Sequence, residues 1–310
     1  MAPLPHPIIT LEEAYLSALS RAQSSHLFLA KEIINTSTPN FSSSHIISTT
    51  LLPLDVSTAV KVNDEIAQKI GESPPGRFAA FATLPMAYLD EAAQELERCV
   101  KELGFLGTLI DSNCGGAFYD DERFWPVFEK AEALDVPIYI HPCPNEEVKK
   151  VLYEGNYPVA IATSLSEYAF GWHAETPTSF LCLSTPPPSS LFYRLPRLTI
   201  LRGYCGEMLP FQLSRTAAVI ERQWPHIGGT HKRGFSEVWR ENMWVTTSGF
   251  FDTGVMGCVV RARGVGRVLF NVDYPFGRNE EGLVDEEDLE KIVWKNAVEL
   301  LGVEVLGVER

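Results

Sequence analysis

Positive charge is scarce in this chain. In 310 residues, 26 Lys plus Arg stand against 40 Asp plus Glu, a formal charge of −14. Nucleic acid or an anionic membrane surface as the main partner is thereby excluded, because both demand a basic face. Long apolar runs are missing as well, and nothing approaches the ~20 residues that span a bilayer. The opening stretch MAPLPHPIITLEEAYLS has no basic segment followed by an apolar one, so no secretory signal is expected. The six cysteines (Cys99, Cys114, Cys143, Cys182, Cys205, Cys258) form no C-x-x-C pair. Their scatter argues against a disulfide framework or a structural zinc site and points to reduced thiols in the cytoplasm. No G-x-G-x-x-G or G-x-x-x-x-G-K-[ST] phosphate loop occurs either. What is present is ordinary globular material, 45% apolar and 21% charged.

Short β-branched runs alternate with helical patterns. The runs are Pro7–Ala14, His45–Leu52, Phe78–Pro85, Gly104–Ser112, Val136–Pro142, Leu198–Glu207, Asn242–Gly249 and Val268–Phe276. Each is apolar and closed by polar or turn residues, as in strands covered on both faces. Asp90–Leu103 and Asp120–Leu134 have helical spacing with acidic residues at their starts. Eight strands with crossover helices predict an α/β fold with a parallel sheet. Glu12, Asp111, His141, Glu207 and Asp273 collect at the C-terminal ends of these runs. A (β/α)8 TIM barrel assembles its active site on that rim, so a single barrel domain over residues 1–310 is expected. The gap at about 143–197 reads as an elaborated lid.

The blocks ITLEEA, GFLGTLIDSN, DERFWPVFEKAEALDVPIYIHP, GWHAET, LPRLTILRGYCGEMLPFQLSR, VTTSG and NVDYPF follow one another from about residue 9 to 280. Together they resemble the amidohydrolase superfamily. The similarity is to the branch containing aminocarboxymuconate semialdehyde decarboxylase and the 2,3-dihydroxybenzoate, γ-resorcylate and salicylate decarboxylases. The resemblance implies a barrel with one divalent metal that removes CO2 without hydrolysis from an aromatic hydroxy acid. It places metal ligands at Glu12, His141 and Asp273, and an acid at Glu207. Two imidazoles of the branch are replaced, one by Ala14 and one by Tyr204, in GYCGE where the branch has G-H-x-G-E. It also implies a homo-oligomer.

Alternation along strands adds a further expectation. If Glu12, Tyr204 and Asp273 face the lumen, Arg202 faces it one layer below. A guanidinium there would need a carboxylate, and Glu12 with Asp273 would need a cation. Arg202 is therefore expected to replace the metal, and a metal-free site is favoured over a weakened site for Zn, Mg or Mn. The leading reading is a decarboxylase-like enzyme that does non-hydrolytic lyase or isomerase-type chemistry on an aromatic or polyketide-derived hydroxy acid, with Asp273 as general acid/base and His141, Tyr204, Glu207 and Arg202 around it. His173 approaches from the lid, and Phe250, Tyr274 and Phe276 wall a flat substrate. Asp111 and Asn113 either face the ligand or bond the next loop, and Cys143 and Cys205 read as buried thiols. Two rival readings stay open: an ordinary metal-dependent phenolic-acid decarboxylase, and a barrel that binds a ligand without catalysis.

Overall fold

The computed structural model describes residues 8–14, 43–48, 54–119, 121–141, 191–206, 209–223, 233–248, 252–271 and 291–303; of the first two segments it describes the backbone alone. The strands are β1 (Ile8–Ala14), β2 (Ser43–Ser48), β3 (Phe78–Ala80), β4 (Ala82–Thr83), β5 (Thr108–Asp111), β6 (Ile138–His141), β7 (Ile200–Arg202), β8 (Met243–Thr246) and β9 (Val268–Leu269). They pair in chain order as β1-β2-β3 and β4-β5-β6-β7-β8-β9, and every pairing is parallel. Only Phe81 separates β3 from β4, so the two are one interrupted strand and the count among the described residues is eight, the number of a (β/α)8 barrel. Beyond β9, Phe270 N–H donates to Ile292 O at 3.0 Å and carries the wall toward the C-terminal segment.

The helices follow from local chemistry. Helix α1 (Val56–Gly71) begins after Asp55, whose carboxylate accepts from Thr58 N–H. Helix α2 (Leu89–Lys101) has Asp90 and Glu91 in its first turn and Arg98 and Lys101 in its last, matching the helix dipole. Helix α3 (Trp125–Leu134) starts with a proline in its first turn and stops at Asp135, which is left-handed at φ 56°. Helices α4 (Leu209–Gln223), α5 (Phe235–Asn242), α6 (Thr253–Arg263) and α7 (Asn296–Leu301) complete the described set apart from single turns. One such turn, Leu191–Arg194, belongs to the expected lid; residues 143–190 of that lid lie outside the described residues. No described helix is long and apolar enough to cross a membrane.

Strand side chains divide into two cores by simple alternation. Ile138, Ile140, Ile200, Val245 and Val268 join Ile66, Leu96, Phe128, Val238 and Val259 of the helices. Phe81, Leu109, Tyr139, Leu201, Trp244 and Leu269 form the inner cluster, with Trp294, Val298 and Leu301 packed against it. Parallel strands deliver all their C-terminal ends to one rim, and the polar residues gather there.

Candidate active site

His141 closes β6. Ile138 and Ile140 point to the helices while Tyr139 lies in the inner cluster, so alternation turns His141 to the lumen, half-buried at the open end. Its neighbour across the β5–β6 ladder is Asp111. Asn113 bonds the next loop: its side-chain oxygen accepts from Gly116 N–H at 3.1 Å and shapes that turn.

Tyr204 reaches His141 by an unusual route. Strand β7 ends at Arg202, and Gly206 N–H closes a turn onto Gly203 O at 2.8 Å. Within that turn Tyr204 and Cys205 are both left-handed, at φ 52° and 55°. For residues with a Cβ this costs roughly 1–2 kcal/mol each, strain of the kind stored at functional sites. It brings the Tyr204 hydroxyl to 3.3 Å from His141 Nε2, with the rings 6.0 Å apart and edge-on. That contact is long for a hydrogen bond, so the imidazole can release the phenol when a stronger partner arrives. Cys205 is buried, and its thiol donates toward Thr247 O at 3.6 Å. Burial pushes that thiol up to about 12, which makes it inert, as its sequence context suggested.

The same turn corrects the expectation for Arg202. Its ladder partners are Ile140 and Val245, and both lie with Ile200 in the helix-side core. Arg202 therefore faces the helices, 1% exposed, not the lumen. Tyr204 gives no guide to the phase of β7, because alternation ends where the strand ends. The idea that Arg202 replaces a metal between Glu12 and Asp273 loses its geometric basis.

Glu12 lies on β1, described by backbone only. Glu207, Asp273, His173, Phe250, Tyr274 and Phe276 lie outside the described residues, as does Cys143. Among the described residues no three His, Cys, Asp or Glu converge on a metal position. The expected donor set, Glu12, His141 and Asp273, would comprise two carboxylates and one imidazole, a chemistry that suits manganese, magnesium or zinc. His141, half-buried at the rim and loosely engaged by Tyr204, fits that role.

Directly beneath the rim lies a polar layer that motif reading passed over. The Tyr139 hydroxyl is 2.9 Å from Thr246 Oγ1 and 3.2 Å from Ser248 Oγ, and those two oxygens are 2.6 Å apart. Asn271 Nδ2 donates to Ser248 Oγ at 2.8 Å. The signal for it was available in part: Tyr139 stands two residues before His141 on the same face of β6, and Asn271 stands two residues before Asp273 in the sequence.

An amidohydrolase family model matches residues 57–303. The chain is 40% identical over 253 residues to the decarboxylase orsB of Emericella nidulans, covering 78% of this chain and 75% of that protein. It is 35% identical over 260 residues to the γ-resorcylate decarboxylase of Polaromonas sp., covering 78% and 76%. The crystal structure of a dihydroxybenzoic acid decarboxylase from Polaromonas sp., with manganese and the inhibitor 2-nitroresorcinol, superposes with a TM-score of 0.76 at 27% identity, over 96% of this chain and 97% of that one. Manganese in that relative removes support for the expectation of a metal-free site. By fold, rim and sequence, the chain belongs to the amidohydrolase family, in the branch that holds these decarboxylases.

Proposed function

We propose that the protein is a non-hydrolytic carboxy-lyase that releases CO2 from a planar aromatic acid bearing a hydroxyl beside the carboxylate. The observation that carries this reading is the match to two decarboxylases over three-quarters of their length. Glu12, His141 and Asp273 would hold a divalent cation, which supplies positive charge to the substrate's carboxylate and adjacent oxygen. Asp273, carrying a proton as the substrate enters, would act as the acid: its O–H bond breaks as a C–H bond forms at the ring carbon that bears the carboxylate. The C–C bond then breaks, CO2 leaves, and the bonding pair restores the aromatic ring. Tyr204 is a poor base, since a phenol has a pKa of about 10. It serves as a hydrogen-bond donor beside His141, near where negative charge sits. Phe250, Tyr274, Phe276 and His173 enclose the ring, within a homo-oligomer.

The test is CO2 release from 2,6-dihydroxybenzoate by protein supplied with manganese, with resorcinol as the co-product. Turnover that disappears on chelation and returns with manganese is the expected result. Undiminished turnover in thoroughly metal-stripped protein would remove the cation from the reading. No release from any ortho-hydroxylated benzoate would remove the lyase itself.

A further inference from the structure

We propose that the hydroxyl cluster of Tyr139, Thr246 and Ser248, with Asn271, is the positioning element that sets the spacing of the metal ligands on the rim above it. The proposal rests on the metal-dependent reading just given. All four residues have 0% exposure, so the layer is dry. Three hydroxyls make three mutual contacts, and arranged head to tail, three protons serve all three. Ser248 accepts a further bond from Asn271 Nδ2.

What it holds is specific. Tyr139 ties β6 to β8, reaching across β7 at Gly203, where an added Cβ would stand 2.9 Å from the Tyr139 hydroxyl. Asn271 is gripped twice by the two residues that follow β8, through its side chain at Ser248 and through its backbone at Thr247. Thr247 Oγ1 accepts from Asn271 N–H at 2.8 Å and donates to Asn271 O at 2.5 Å. That grip begins where β9 has ended, with Thr247 N–H on Leu269 O at 3.0 Å as the last ladder bond. The two chains tied to β8 each carry a proposed ligand two residues onward, His141 and Asp273. A rigid tie below both fixes their separation, the role that outer-shell partners play around metal sites.

The experiment measures manganese affinity on metal-stripped protein by titration calorimetry, beside the thermal midpoint of the metal-free form. Thr246→Val keeps the shape and removes one hydroxyl; Ser248→Ala removes another with less steric change. Each should weaken manganese binding about 10- to 100-fold, while Thr246→Ser, which restores the hydroxyl, should stay within about twofold. A cluster that only stabilised the fold would lower the midpoint and leave the affinity alone, and that outcome overturns the proposal. If wild type binds manganese and releases CO2 but both variants bind like wild type, the positioning role falls and the lyase reading stands. If wild type binds manganese and releases no CO2, the lyase reading falls and the affinities alone decide the positioning role. If wild type binds no manganese, both fall.

Discussion

Between α1 and α2, outside the barrel wall, Asn63, Glu95, Arg98 and Asp64 form a charged polar network. Inside the wall, Tyr139, Thr246, Ser248 and Asn271 form a neutral one. The outer network grades toward water: side-chain exposure is 4% at Glu95, 26% at Arg98 and 54% at Asp64. Arg98 grips Glu95 with Nε and Nη2, both at 2.8 Å. Asn63 donates to Glu95 and to Thr83 O and accepts from Thr83 N–H, so a side chain completes the short strand β4. The four residues of the inner network are fully buried, and an ion there would cost several kcal/mol to desolvate. Charge is placed where one end can be solvated, and hydroxyls where none can. The outer cluster fastens helix to helix; the inner one leaves the lumen's charge to the rim.

The sharpest break is to delete the carboxylate that centres the outer cluster. Glu95→Ala strands the buried end of Arg98 and one donor of Asn63, at a cost of about 3 kcal/mol, read by denaturant unfolding. Turnover per folded molecule should not change, because nothing in that cluster touches the rim. Burial pushes the Glu95 carboxyl up, but the Arg98 guanidinium, the Asn63 amide and the Cys99 thiol together leave it below its usual 4.5. A folded value below the unfolded one gives stability that is complete above about pH 4.5 and lost as pH falls through the folded value. The variant and wild type should therefore converge in stability as the solution is acidified. A gap that persists at low pH would mean the carboxylate's charge is not what the cluster uses.

A smaller effect should separate the rim from both clusters. Tyr204→Phe keeps the ring and removes the hydroxyl that stands 3.3 Å from His141 Nε2. The loss of one hydrogen bond predicts about a tenfold fall in kcat, with the unfolding midpoint unchanged. A stability loss without a rate effect would assign the phenol to packing, as for the outer cluster.

How far these regions were legible differs for a physical reason. The eight strands showed as apolar runs because a strand buried on both faces has no other composition. His141 keeps the phase of its strand and was readable by counting in twos. Arg202 was not, since the run Leu198–Glu207 contains only three residues of strand before Gly203 opens a left-handed turn. Period two says nothing across such a turn. Val268–Phe276 likewise read as one strand, although the ladder stops at Leu269 and a threonine hydroxyl takes over. Asn63 and Glu95 looked like ordinary helix polar positions, for their meeting joins residues 32 apart in sequence. The expectation of a metal-free site lost one of its two supports with Arg202, and rested otherwise on the imidazole replaced by Ala14.

The gentlest test asks how tightly the inner cluster is built. Gly203 has Tyr139 Oη 2.9 Å from where a Cβ would stand, with Tyr139 Cε2 and Cζ at 3.5 and 3.6 Å. The carbons leave room for a methyl and the hydroxyl does not. In the outer cluster a displaced group could swing toward solvent, but Tyr139 is fully buried and held by two hydroxyls. Gly203→Ala gains up to about 1 kcal/mol by restricting the unfolded chain. Overpacking at the hydroxyl costs typically 1–3 kcal/mol, so the net should be a loss of about 1 kcal/mol. In a Tyr139→Phe background the obstructing oxygen is gone, and the same substitution should turn neutral or stabilising. The double-mutant cycle isolates that oxygen from every other effect of the methyl group. A penalty equally large in both backgrounds would show that the lumen yields as readily as the outer surface, and the contrast between the two clusters would then rest on charge alone.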